Sequence, residues 1–453
     1  MHALADLRED QRDAIDFIGD GEDSLIYADV GAGKTVIALT ATLRHPGYRW
    51  LVLAPRKVCL NTWQQECAQW EHLRDLPIAV AIGTPAQRRQ VIHDSAPVTL
   101  LNYENLLWLL ETYDPLPFDA LICDEIDKLK DPKSKRFKAF RKRIQHLKKR
   151  VGMTGTPAGN HLLDLWAQAF IVDGGASLGT SFYKFRAEFF YQADYAGYDW
   201  RPFPGAEEKI YAKLDGLVFV SRNPEGMPAV VDLPPRFIDL PAPLLKTYRK
   251  FERALALKFP DGGEVEAANS AVMSGKLQQF ASGFLYRDDG DTELVHNEKY
   301  IDLADLISEL QGQQLMVCYF FQAELAELQR RYRGLAYLGG GTTDAADAAT
   351  IAAWNSGQLQ LLAIHPGSAG HGLNLQFAKP KHVYFLTRPW APGTVEQVVG
   401  RIKRPGGAAT VFMHTPVCRG TRDEDVLIAN SFKEAWNVGA KQAFLSRQQG
   451  EST

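Results

Sequence analysis

Cysteine, one-signed charge and long apolar runs are all scarce in this chain of 453 residues. There are five cysteines, Cys59, Cys67, Cys123, Cys318 and Cys418. Their number is odd and their spacing is not that of a metal site, so they read as reduced, mostly buried thiols in a reducing compartment. No apolar run is long enough to span a bilayer, and Met1-His2-Ala3-Leu4-Ala5-Asp6 has no apolar signal core, which predicts a chain without membrane contact. The formal net charge is −3, so no global basic field draws the chain to nucleic acid, and any such contact has to come from local patches. Internal repeats and low-complexity tracts are also missing. What is there is ordinary: 45% hydrophobic and 23% charged residues, the balance of a globular protein with two or three domains at this length.

The informative stretches are two. Leu25-Ile26-Tyr27-Ala28 is an apolar run, followed by Asp29-Val30-Gly31-Ala32-Gly33-Lys34-Thr35 and then a helical pattern. About ninety residues later Ala120-Leu121-Ile122-Cys123 reads as a buried strand that ends in Asp124-Glu125-Ile126-Asp127. A phosphate-binding loop and an acidic strand end are the two halves of a nucleotide-hydrolysis site. Gly31, Ala32 and Gly33 would let backbone N–H groups close on phosphate oxygens at a helix N-terminus. Lys34 would charge-pair the β- and γ-phosphates, and the Thr35 hydroxyl would ligate Mg²⁺. Asp124 would hold the same ion, and Glu125 would orient and deprotonate the attacking water. Ala28 stands where the usual loop has glycine, a small departure because the donors are backbone groups. The spacing therefore predicts ATP and Mg²⁺ as ligands.

Short apolar runs alternate with helical patterns. Strands are expected near 24–28, 50–54, 78–82, 98–101, 119–123 and 150–153, and again near 315–320, 335–338, 360–364, 382–386 and 409–414. The alternation predicts an α/β fold with parallel sheets covered on both faces. Between the two series lies a segment over 160–230 rich in aromatic residues, glycine and proline, then Leu233-Pro234-Pro235, which reads as a hinge or linker, and a mostly helical stretch over 242–310. Thr421 and Glu424 form a capping-box pattern for a last helix to about 438. The expected domains are 1–159, 160–235 and 236–453, with the phosphate loop in the first.

Two basic features remain. Gln397-Val398-Val399-Gly400-Arg401-Ile402-Lys403-Arg404 places Arg401 and Arg404 three apart on one expected helical face. A guanidinium from the second lobe would stabilise charge in the transition state and make hydrolysis depend on lobe closure; a solvated basic face is the alternative. Between Lys128 and Arg150 there are twelve Lys/Arg and one acid, Asp131. Some of these, Lys133 among them, are expected to contact backbone phosphates, again against a solvated face. His365 and His371 have no third or fourth ligand nearby, so they do not predict a metal site.

In order, the chain resembles superfamily-two helicases, and within them the Swi/Snf-type ATPases. The resemblance rests on Gln11, Leu53-Ala54-Pro55-Arg56-Lys57, Asn102-Tyr103-Glu104, Asp124–Asp127, Thr154-Gly155-Thr156-Pro157, Leu315–Phe320, His365–Leu375 and the arginine segment. The subgroup rests on Lys128–Ser134, on Asn160 and Leu165-Trp166 after Thr154–Pro157, on Gly370–Leu375, and on Arg388-Pro389-Trp390-Ala391-Pro392. The compact length and the wording His365-Pro366…Gly370-His371-Gly372-Leu373-Asn374-Leu375 are similar to small phage-encoded members.

That resemblance implies two tandem RecA-like parallel-sheet lobes with a small helical and aromatic insertion after the first. It implies that Gln11 reads adenine, and that Asp127, Thr154, Thr156, Asn374 and Gln397 couple nucleotide to movement. Arg56, Lys57, Tyr103, Ser368 and His371 would line the nucleic-acid path and track its backbone. Asp127 stands where many relatives have histidine, and no histone-reading module is visible. The segment over 160–230 is a protrusion near the duplex by analogy, while packing is the plainer reading of its rings. The implied protein is a monomeric ATP-dependent DNA helicase or translocase of the bacterial or phage-infected cytoplasm. An RNA helicase and a nucleotide-gated scaffold without turnover are the rivals.

Overall fold

A computed structural model describes the chain except residues 21–22, 159–160, 194–199, 223–225, 259–264, 288–289, 370–373, 405 and 450–453. It divides into two compact units, Met1–Glu225 with Lys433–Thr453, and Gly226–Phe432.

The strands of the first unit are β1 (Asp23–Tyr27), β2 (Trp50–Ala54), β3 (Ile78–Val80), β4 (Val98–Asn102), β5 (Ala120–Asp124), β6 (Lys149–Thr154), β7 (Phe190–Gln192), β8 (Trp200–Pro202) and β9 (Val218–Val220). Seven of them form one sheet in the order β3-β4-β2-β5-β6-β1-β9, with every pairing parallel. Each residue of β2, β4 and β5 is buried, the mark of strands covered on both faces. Side-chain alternation sorts these strands into two cores. Leu51, Leu53, Leu121 and Cys123 face one layer, and Trp50, Val52, Ala120 and Ile122 face the other. Burying a side chain of leucine or phenylalanine size stabilises by about 1.5–3 kcal/mol. The buried rings of Trp50, Trp63 and Trp166 therefore anchor this sheet strongly.

In the second unit the strands are β10 (Ala229–Asp232), β11 (Arg236–Ile238), β12 (Phe284–Tyr286), β13 (Thr292–Leu294), β14 (Leu315–Cys318), β15 (Ala336–Leu338), β16 (Leu361–Ile364), β17 (His382–Phe385), β18 (Thr410–His414) and β19 (Pro416–Cys418). Six form a second parallel sheet, ordered β10-β18-β17-β14-β16-β15. Met316 and Cys318 of β14 face one core, Leu315 and Val317 the other. The two parallel-sheet lobes that the sequence pattern predicts are present.

Three boundaries differ from expectation. The segment over 160–225 belongs to the first unit rather than to a separate insertion. Its helix Asp164–Asp173 buries Leu165 through Val172, and Phe185, Phe189 and Phe190 join the same core. Tyr183, Tyr191 and Phe203 stay exposed, so packing explains most but not all of its rings. Leu233-Pro234-Pro235 is no link between lobes. It separates β10 from β11 inside the second unit, where proline, having no N–H, ends the pairing. The last helix, Arg422–Gln448, runs ten residues past its expected end, because Asn437, Ala440 and Phe444 are buried against the first unit.

Candidate nucleotide site

The phosphate loop follows β1 and the acidic turn follows β5, and only β6 lies between those strands. Strands are spaced about 4.8 Å. Residues ninety apart in the chain therefore meet at one sheet edge, about two strand spacings apart. β6 itself ends in Thr154, whose hydroxyl accepts the N–H of Thr156 at 3.0 Å. Three sequence motifs thus converge at the carboxyl end of a parallel sheet, where open α/β sheets bind ligands.

The helix Lys34–Thr42 starts from Gly33, which has φ of 86° and no side chain to cap the first turn. Its first N–H groups are left for an anion. A Cβ on Gly33 would stand 2.3 Å from Gln11 Nε2 and displace it, and the positive φ itself strains any other residue here. Gln11 is buried, and its Nε2 donates to Ala32 O at 3.1 Å while its Oε1 accepts the Arg8 N–H at 3.1 Å. Gln11 therefore braces the phosphate loop in this structure rather than presenting a free amide to a base. Arg8 adds a second brace, donating to Ala32 O at 2.7 Å while its Nε pairs with Asp10 at 2.9 Å. Sequence reasoning missed Arg8, because a lone arginine before a helix carries no motif.

Lys34 Nζ donates to Ala28 O at 2.9 Å and stands 3.8 Å from Glu125 Oε1. Glu125 has φ of 61°, a left-handed backbone that a non-glycine residue adopts only when its surroundings impose it. Asp124 is buried at the end of β5 and accepts the Trp63 indole N–H at 3.3 Å. Burial and the neighbouring Glu125 push its carboxyl above the usual range, against Lys34 and Trp63. Asp127 is raised as well, by burial and then by Glu125, and its Oδ1 is buried without a hydrogen-bond partner. Among the described residues no three acids converge to hold a metal by themselves, but a buried carboxylate and a hydroxyl at the phosphate loop are hard oxygen donors of the kind Mg²⁺ shares with phosphate oxygens. Thr35 and Asp124 would hold Mg²⁺, whose charge would offset that of the phosphates.

One expected nucleic-acid residue changes role. Tyr103 is 1% exposed, and its hydroxyl donates to Asp124 O at 2.9 Å and to Glu125 O at 3.2 Å. It cannot line a nucleic-acid path from there. Arg56 and Lys57 are exposed just beyond β2. The basic run is sorted by its partners. Lys149 is buried, Arg150 pairs with Asp23 at 2.7 Å, Lys148 with Asp119 at 2.8 Å and Lys130 with Asp164 at 3.4 Å. Arg143 pairs with Asp114, and Arg141 lies over the Phe170 ring at 4.6 Å. Lys128, Lys133, Lys135, Lys138 and Lys142 remain exposed.

In the second unit the helix over the arginine segment covers only Pro392–Val399, so Arg401 and Arg404 do not share a helical face. They follow in a turn. Arg401 is buried, while Arg404 donates to Gly400 O at 3.1 Å and to the side chain of Asn374. Gln397 lies half-buried on that helix. Ser368 is in the short helix Pro366–Ala369, and His371 lies outside the described residues. His365 accepts the Gly367 N–H at 3.0 Å.

The sequence profile of the SNF2-related domain matches residues 16–190. Protein p41 of Acyrthosiphon pisum secondary endosymbiont phage 1 is 33% identical over 442 residues, covering 91% of this chain and 93% of that one. The chain belongs to the SNF2-related family. Among other relatives, the Gallus gallus DNA repair and recombination protein RAD54B is 24% identical over 494 residues, covering 93% of this chain. The alignment takes in 53% of that protein, so this SNF2-related chain spans about half the length of such a relative. The solved Sulfolobus solfataricus SWI2/SNF2 ATPase core in complex with dsDNA has 20% identity and a TM-score of 0.43, over 98% of this chain and 96% of that one. The SNF2 profile covers the first lobe's phosphate loop, acidic turn and Thr154–Thr156 segment together.

Proposed function

We propose that this chain hydrolyses ATP with Mg²⁺ and uses the energy to move along DNA. The observation that carries the reading is the approach of Lys34 to Glu125 at 3.8 Å, with Asp124 buried beside them. Phosphate recognition, the cation ligand and the base for water stand within one sheet edge. Lys34 neutralises phosphate charge, and Glu125, partly exposed, is free to take the proton of an attacking water. Asp127, Thr154 and Thr156 relay the nucleotide state through the turn that follows β5 and β6. Arg401 and Arg404 keep the charge-stabilising role that their sequence predicts, and Asn374 orients Arg404.

DNA rather than RNA is favoured by the match to the SNF2-related domain and by the relative named for DNA repair and recombination. Arg56, Lys57 and Lys133 would contact backbone phosphates without reading sequence. Travel along intact duplex is the preferred output. Strand separation needs a wedge, because each base-pair step costs about 1.4 kcal/mol of stacking, and no wedge is defined among the described residues. Steady-state ATP hydrolysis with no nucleic acid, single-stranded DNA, duplex DNA and RNA tests the reading. Stimulation by duplex DNA is expected. Stimulation by RNA alone would leave an RNA helicase, and no turnover under any condition would leave a nucleotide-gated scaffold.

A further inference from the structure

The last helix carries one face that no sequence motif explains. Its residues from Lys433 onward belong to the first unit. Asn437, Ala440, Lys441, Phe444 and Gln448 recur at spacings of three, four and seven, so they lie on one side of the helix. Each polar or aromatic member of this face meets the edge where the nucleotide motifs end. Asn437, 2% exposed, accepts the N–H of Ala158 through Oδ1 at 2.9 Å, one residue past Thr154–Pro157. Phe444 sets its edge against Tyr27, the last residue of β1, with ring centres 5.8 Å apart, and against Tyr211 at 5.1 Å. Gln448 accepts the N–H of Val220, the end of β9, at 3.1 Å. Lys441 Nζ pairs with Asp29, which lies between β1 and Gly31 at the mouth of the phosphate loop. Both partners are largely shielded, at 18% and 27% exposed.

We propose that Lys441 and Asn437 are positioning residues for the nucleotide site, acting through Asp29 and the segment after Thr156. The proposal rests on the ATPase reading above. Asp29 puts a carboxylate two residues before Gly31, beside a site built for a polyanion. The Lys441 ammonium offsets that charge and ties the loop's entry strand to a rigid helix. Asn437 does the same for the β6 turn, since its Nδ2 donates to Lys433 O at 3.1 Å and its Oδ1 is thereby aimed at Ala158. Neither residue touches the reacting atoms. Without Lys441 the Asp29 carboxylate loses that ammonium at the entry of the phosphate loop, so nucleotide binding weakens more than chemistry slows.

The test uses the full chain and a fluorescent ATP analogue beside steady-state turnover. Lys441→Met should raise Kd and KM by about five- to tenfold, the scale of a partly shielded charge pair, with kcat changed less than twofold. Lys441→Arg should restore binding. Asp29→Asn in the Lys441→Met background should also restore it, because the anion to be offset is gone. A helix that serves only as packing would respond otherwise: Lys441→Met would lower thermal stability, and neither rescue would act on KM. Unchanged Kd in folded Lys441→Met, or failure of both rescues, overturns the proposal while leaving the ATPase reading intact. Failure of the unmodified chain to bind the analogue would sink both. Should Lys441→Met not fold, the comparison of Lys441→Arg with the Asp29→Asn/Lys441→Met pair decides in the same way.

Discussion

The Tyr103 hydroxyl donates to the backbone carbonyl of Asp124 at 2.9 Å, tying the residue after β4 to the acidic turn after β5. β2 lies between these two strands, so the bond crosses two strand spacings at the sheet edge. Glu125 follows in a left-handed conformation, and its own carbonyl accepts from the same hydroxyl at 3.2 Å. A phenol thus holds a strained backbone where the base for water is presented. Tyr103→Phe should cost about 1 kcal/mol of stability and lower turnover several-fold, with DNA affinity unchanged. Titration by fluorescence anisotropy beside ATP turnover checks this. Weakened DNA binding with normal turnover would return Tyr103 to the nucleic-acid path.

For the chemistry itself, Lys34→Ala should abolish turnover and weaken nucleotide binding, since the ammonium facing the β- and γ-phosphates is lost. Glu125→Gln should bind nucleotide normally and release no phosphate beyond background. Rapid phosphate release by Glu125→Gln would show that another group takes the proton.

The exposed and paired halves of the basic run should separate experimentally. Replacing Lys133, Lys135 and Lys138 by glutamine should flatten the dependence of log affinity on log salt by about 0.9 for each lost B-DNA contact. Basal turnover should persist. Replacing Arg150, held by Asp23 at 2.7 Å, should instead lower the melting temperature and leave the salt slope alone. An unaltered slope in the triple variant would make these lysines a solvated face.

Arg404→Ala should cut DNA-stimulated turnover by roughly 10³-fold, the scale of a lost arginine finger, with nucleotide affinity changed far less. Asn374→Ala, which removes one hydrogen-bond partner of the Arg404 side chain, should give a smaller loss. Full stimulation in Arg404→Ala would remove the arginines from the catalytic reading.

Acid should destabilise the second unit through two buried histidines. His296 and His414 are both buried, and burial holds each at about 4, well below the usual value of 6.5. Each is thus neutral when folded and takes up a proton when unfolded between pH 6.5 and 4. The unfolded state binds the extra proton, so stability falls as pH drops through that window, by up to about 1.4 kcal/mol per pH unit for each group. His414 also shares a 3.0 Å contact with His382, which cannot persist with both rings charged. Melting temperature measured from pH 7 to 5 should fall, and His414→Gln should fall less steeply. A profile identical to that of the unmodified chain would mean that His414 titrates normally.

The chemistry of the first lobe was written in the chain's local order. Gly33-Lys34-Thr35 after an apolar run, and Asp124-Glu125 after another, need only strand propensity, burial and a helix N-terminus to specify a nucleotide site. The central strands of both sheets were legible for the same reason, since a strand buried on both faces must be apolar along its whole length. Of the edge strands, β3 and β15 were legible, but β9 and β10 were not. β10 is exposed at every residue, so no burial pattern marks Ala229–Asp232. Partners distant in sequence were beyond reach as well. Nothing local says that Arg8 and Gln11 share the Ala32 carbonyl, or that Tyr103 turns inward to Asp124. Nor does composition divide the basic run into lysines left in water and cations paired with Asp23, Asp119 and Asp164. A hydrogen bond or ion pair depends on two positions at once, and only the folded sheet brings 8 beside 32, 103 beside 124 and 29 beside 441.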